Sequence, residues 1–109
     1  MMKERASERI EFINSDGTGA IFDISKTGIA FLYDKKVPDD NVIRIQLNDL
    51  KVDAKVIYSQ ERTDGYRLGA QFQNLTAADQ MVIDEIVDNF SRGVPTRCRV
   101  VSDDIEKGR

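Results

Sequence analysis

Two short clusters near the front of the chain carry residue types that bind ligands. Arg5 and Arg9 form an R-x-x-x-R pair, and Asp23-Ile-Ser25-Lys-Thr-Gly28 follows as D-x-S-x-x-G. An arginine guanidinium is planar and always charged, and its donors form a fixed fork. That fork fits the O6/N7 edge of guanine or two oxygens of a phosphate. A carboxylate such as Asp23 has the opposite polarity and accepts from the N1 and N2 donors of guanine. The Ser25 hydroxyl can cap a turn or donate to a ligand. Gly28 supplies either a positive φ or room for a ligand to approach the backbone. Read from the residues alone, an Arg pair is also an ordinary solvated surface, and Asp-x-Ser an ordinary turn.

Other chemistries find little support. The 109 residues include no histidine and one cysteine, Cys98. The usual zinc sites and the Ser-His-Asp and Cys-His nucleophile systems are therefore missing. A lone cysteine makes no internal disulfide and suits a reducing compartment. The carboxylate pairs Asp39-Asp40 and Asp103-Asp104 fall in loop and tail segments and read as solvated. No catalytic residue, metal site or cofactor is expected, and the chain reads as a binding protein rather than an enzyme. Net charge is −3, which argues against a polyanion binder such as a duplex-DNA protein. No apolar run approaches a membrane span and the first residues are polar, so no membrane insertion and a cytoplasmic location are expected.

The elements that must hold these residues are mostly strands. Residues 1–8 read as a flexible arm carrying Arg5, with Arg9 opening a strand over 9–13. Asp16-Gly17 is a hairpin signal. Further strands are expected at 20–24, 28–33, 42–47, 52–58 and 66–72. Ile43, Ile45 and Leu47 alternate inward, as do Val52, Ala54, Val56 and Tyr58, and Tyr66, Leu68, Ala70 and Phe72. The period changes after Leu75. Thr76 with Asp79 three residues on has the form of a helix N-cap, and apolar residues from Val82 to Phe90 recur at helical spacing. A helix over about 77–91, ended by Gly93 and Pro95, follows. Phe12, Phe31, Phe72 and Phe90 are expected in the core. The expected fold is mainly β, a six-stranded antiparallel barrel with a C-terminal α-helix, spanning 9–91. Residues 92–109 form a tail in which Arg97–Val101 has a weak strand pattern.

R-x-x-x-R followed by D-x-S-x-x-G at the start of a strand resembles the PilZ domain. Tyr66-Arg-Leu-Gly-Ala-Gln-Phe72 resembles that family's late strand, and the following helix fits as well. The resemblance covers about residues 5–91. It implies a PilZ-like barrel acting as a bacterial receptor for cyclic di-GMP, with Arg5, Arg9, Asp23, Ser25 and Gly28 as ligand contacts. Output is expected through a partner protein, with motility, adhesion and polysaccharide pathways all open, and the negative net charge and inward-facing aromatics argue against a nucleic-acid polymer as partner. A PilZ-like adaptor that has lost the nucleotide is the alternative.

Overall fold

The computed structural model describes residues 18–102. Arg5, Arg9, the expected strand 9–13, Phe12 and the Asp16-Gly17 turn lie outside the described residues. Within them the elements are β1 (Thr18–Gly19), β2 (Ile21–Ile24), β3 (Gly28–Tyr33), β4 (Val42–Leu47), β5 (Leu50–Arg62), β6 (Gly65–Gln73), α1 (Ala77–Ser91) and β7 (Cys98–Ser102). Neighbouring strands are antiparallel in the order β1-β7-β4-β5-β6-β3-β2.

The two ends of that order belong to one stretch of chain. Thr18–Gly19 pairs with β7, whereas Ile21–Ile24 pairs with β3. The Leu32 N–H also donates to the Ala20 carbonyl at 2.9 Å, which continues the second pairing across the gap. Residues 18–24 therefore meet both edges, and the sheet curls into a six-stranded, barrel-like wall. Curling lets the unpaired edges of an open sheet satisfy each other. The sixth place in this ring is taken by β7, from the segment read as a tail. Its pairs Leu47 with Cys98 and Ile45 with Val100 lay apolar residues along β4, and Cys98 is fully buried. Only two apolar residues face inward there, which is why the pattern is weak in sequence. Burial pushes the Cys98 thiol up from 9.0 to about 12, so it stays protonated and unreactive.

The core follows the alternation. Ile43, Ile45, Leu47, Ala54, Val56 and Leu68 are wholly buried, with Phe31 and Phe72 beside them. Full burial of each large aliphatic side chain is worth roughly 1.5–3 kcal/mol. The helix closes one side through Ile83 and Ile86, with Val87 and Phe90 partly buried. Its start is a capping box: Thr76 Oγ1 accepts from the Asp79 N–H at 3.0 Å, and Asp79 Oδ2 accepts from the Thr76 N–H at 3.2 Å. Past its end, Gly93 has a φ of 84° and its N–H donates to the Phe90 carbonyl, so the chain turns away before Pro95.

Tyr58 departs from the expected pattern. Val56 pairs with Ala70 but Tyr58 pairs with Gly69, so Ile57 is an extra residue opposite no partner. This β-bulge resets the alternation. Ile57 and Tyr58 are both exposed instead of dividing between the two faces.

Candidate functional site

The β2–β3 turn is built by Ser25. Its N–H donates to the Gly28 carbonyl at 2.9 Å. Its hydroxyl oxygen accepts from the Gly28 N–H at 3.2 Å and the Thr27 N–H at 3.3 Å. Both backbone donors at the turn are thus satisfied by one side chain. The hydroxyl proton is shared only at long range, with Thr27 Oγ1 at 3.4 Å or the Gly28 carbonyl at 3.5 Å. It is available to a ligand oxygen.

Two further bonds seat this turn on the rest of the fold. The Thr27 carbonyl accepts from the Phe72 N–H at 2.9 Å. The Lys26 carbonyl accepts from Gln80 Nε2 on the helix at 3.3 Å. Gly28 is required by the first of these contacts with β6. A Cβ there would lie 2.7 Å from the Ala70 carbonyl oxygen. Its φ is not in the left-handed region, so a positive φ is not what it supplies. What it permits is the close approach of β3 to β6.

The outer wall beside the turn forms a cleft of about 250 Å³. Asp23, Ser25 and Gly28 line one side, and Tyr58, Arg67 and Gly69 line the other. The structure therefore brings together the three residues of the D-x-S-x-x-G cluster in one concavity. Asp23 is exposed on β2 opposite Ala30. Arg5 and Arg9 lie outside the described residues. The rest of the lining is apolar, with the small residues Gly28, Ala30, Gly69 and Ala70 beside Ile29 and Ile57. The Tyr58 ring covers Gly69 so closely that a Cβ at residue 69 would be 2.2 Å from it.

Arg67 and Tyr58 are additions that the sequence reading did not single out. Arg67 Nε donates to the Tyr58 hydroxyl at 3.0 Å. Its guanidinium carbon also lies 4.9 Å from the centre of the Phe22 ring. Phe22 is the extra residue of a second bulge, between Ile21 and Asp23, and Arg62 flanks the same ring at 4.8 Å. Arg62 is itself held by Asp64, Nε to Oδ1 at 2.8 Å. An aromatic ring attracts a cation over its face. The Arg67 side chain is thus oriented by a ring and a hydroxyl before any ligand arrives. The available signal was Arg67 and Gly69 on the outward phase of β6, a cation next to a residue with no side chain.

Chemically, the cleft offers a carboxylate acceptor, a hydroxyl donor, a flat aromatic surface and a guanidinium around an apolar lining that includes several small residues. That set can hold a planar polar base with an attached anion. Among the described residues no group of three or more His, Cys, Asp or Glu is placed to hold a metal ion. No helix among them is long and apolar enough to cross a membrane.

A family model describing the PilZ domain matches residues 3–89. No curated protein and no solved structure matches the chain. The family match covers both sequence clusters, strands β1 to β6 and nearly the whole helix, and on that basis the chain belongs to the PilZ domain family, a family of cyclic di-GMP receptors.

Proposed function

We propose that this chain is a cytoplasmic bacterial receptor for cyclic di-GMP that works by binding, without catalysis. The observation that carries this reading is the convergence of Asp23, Ser25 and Gly28 on one cleft. Asp23 accepts from the N1 and N2 donors of a guanine laid against the small residues of the lining. Ser25 holds the turn and donates to a ligand oxygen. Arg5 and Arg9 close from the N-terminal arm, forking onto guanine O6/N7 or a phosphate. Arg67, across the cleft from Asp23, adds a fixed positive charge for the phosphodiester. Pinning of the arm then presents a new surface to a partner protein, which carries the signal into motility, adhesion or polysaccharide output.

Isothermal titration with cyclic di-GMP tests the reading, with GTP and cyclic di-AMP as controls. A bidentate guanine contact is worth about 1–3 kcal/mol, so Arg9→Ala should weaken binding roughly ten- to a hundred-fold. Arg67→Ala should weaken it by about ten-fold, the value of one charge-assisted contact. Absence of heat with cyclic di-GMP would sink the receptor reading and leave a PilZ-like adaptor. Unchanged affinity in Arg67→Ala would remove that residue from the site while leaving the rest.

A further inference from the structure

We propose that Phe22 is a positioning residue of the cleft, a ring clamp that commits the Arg67 guanidinium to one orientation and leaves its terminal edge for a ligand. This rests on the reading of Arg67 as a ligand contact and names what fixes it. Arg62 and Asp64, at the tip of the β5–β6 hairpin and outside the cleft lining, hold the clamp in place.

Two bulges bring the parts together. Along an unbroken strand, successive residues face opposite sides. The register shift between Ile21 and Asp23 makes Phe22 an extra residue in β2. Ile21 packs against the core and Ile24 is buried in it, while Asp23 is exposed and lines the outer cleft. Phe22 meets Arg67, which lines the same cleft. Phe22 and Asp23 thus share the outer face, as Ile57 and Tyr58 do at the bulge of β5. Adjacent residues of β2 therefore supply both the carboxylate of the cleft and the ring that orients its cation.

The clamp restricts how Arg67 can meet an anion. Its guanidinium carbon is 4.9 Å from the centre of the Phe22 ring, which covers a face of the group. Its Nε donates to the Tyr58 hydroxyl at 3.0 Å, which takes one donor of the side-on fork. Among the described residues, no acceptor takes the two terminal nitrogens and no carboxylate pairs with the group. A phosphodiester is therefore taken end-on, by two bonds from those nitrogens.

A second cation stands on the same ring. Arg62 lies 4.8 Å from its centre, so two guanidinium groups are close enough to repel. Asp64 offsets this. Its carboxylate, with a side chain only 2% exposed, accepts from Arg62 Nε at 2.8 Å and from a terminal nitrogen at 3.4 Å. That fork neutralises and fixes Arg62, and Arg67 keeps its charge. Leu32, the cross-strand partner of Arg67 and on the same face, is 1% exposed. Part of this outer face is thus shielded from water, where a ring holds a cation more strongly.

Two measurements on the full chain test the clamp. The first needs no ligand and follows the side-chain Nε–H signal of Arg67 by nitrogen-edited NMR. In wild type the Phe22 ring should displace it from the position of a solvated arginine. Phe22→Leu should return it to that position, and Phe22→Tyr, which keeps the ring, should not. Asp64→Asn should move it part of the way. Amide signals of Ile43 and Ile45 report whether each variant is folded. The second measurement is titration with cyclic di-GMP. Phe22→Leu should weaken binding about three- to ten-fold, and Phe22→Tyr should restore it. Adding Phe22→Leu to Arg67→Ala should cause no further loss, because the ring acts only through the arginine. An Arg67 signal unmoved in Phe22→Leu would overturn the clamp, and so would losses that multiply in the double variant. If wild type releases no heat with cyclic di-GMP, the receptor reading fails, and the Arg67 signal alone decides whether the clamp exists.

Discussion

Beside the β2–β3 turn, space is made by leaving side chains out. Gly28, Ala30, Gly69 and Ala70 contribute little side-chain bulk to the lining they share with Asp23 and Arg67. At the Asn48 corner, where β7 meets the end of β4, long side chains are bonded to backbone and to each other, Gln46 to Asn48 and Arg99, and Asn48 to Arg97. A lining with several small residues lets a flat group lie close to the backbone, where its edges meet neighbouring polar atoms. A frame of amides and guanidiniums bonded to each other and to backbone instead ties β7 to the end of β4. The first arrangement leaves room beside the backbone, and the second fixes one strand to its neighbour.

Glycine substitutions should break the first region in two different ways. Gly28→Ala places a Cβ 2.7 Å from the Ala70 carbonyl oxygen, which is backbone and cannot swing aside. Strands β3 and β6 must separate, and the Phe72 to Thr27 bond lengthens with them. The expected loss is about 1–3 kcal/mol of stability, measured by urea denaturation. Gly69→Ala meets the Tyr58 ring at 2.2 Å, and that ring belongs to a side chain that is 38% exposed. The ring can rotate outward, at the expense of its bond to Arg67. Stability should fall by less than in Gly28→Ala, while affinity for a ligand in the cleft falls with the loss of Arg67 orientation. Equal destabilisation by the two substitutions would show that the Tyr58 ring is fixed rather than displaceable.

The same contrast explains how much was legible in the sequence. Strand β4 and helix α1 lie where alternation and the Thr76–Asp79 cap put them, and β3 lies over its expected run 28–33, because those signals are local. The D-x-S-x-x-G cluster was legible for the same reason: Ser25 bonds to residues two and three positions away. The reason for Gly28 was not, since it lies in a β6 carbonyl more than forty positions on. Tyr58 was misread because a bulge at Ile57 inverts the phase, and nothing in the residues from Val52 to Tyr58 announces a bulge. The place of β7 in the sheet was equally hidden, as it rests on two apolar residues and on a grip by Asn48 from 49 positions away. Arg67 became a candidate only once Phe22 and Tyr58, on two other strands, were seen to orient it.

Asn48→Gly sharpens the comparison at the second region. Asn48 ends β4 in the left-handed region, with a φ of 56°, and glycine keeps that conformation, so the turn itself is preserved. What is removed is the Oδ1 acceptor for the Arg97 N–H. Loss of one such bond should cost about 1 kcal/mol in denaturant unfolding. Amide exchange should speed up along β7 and stay unchanged in β3 and β6. Uniformly faster exchange throughout the sheet would mean that β7 opens together with the whole barrel and that its grip is not local.

The smallest effect concerns the link between turn and helix. Gln80 Nε2 reaches the Lys26 carbonyl at 3.3 Å and also donates to Asp84 Oδ1 at 3.1 Å. Both bonds are exposed, so Gln80→Ala should change stability by no more than about 0.5 kcal/mol. The local consequence should be larger than the global one. The turn would keep its internal Ser25 bonds and its Phe72 bond but lose the strut from the helix. Exchange at the Thr27 and Gly28 amides, both bonded to Ser25 Oγ, should therefore quicken, while Ile45 and Ala54 in the core keep their protection. If Thr27 and Gly28 are unaffected, the turn is held by β6 and Ser25 alone. The helix then has no part in pre-shaping the cleft, and any signal from the turn must leave by another route.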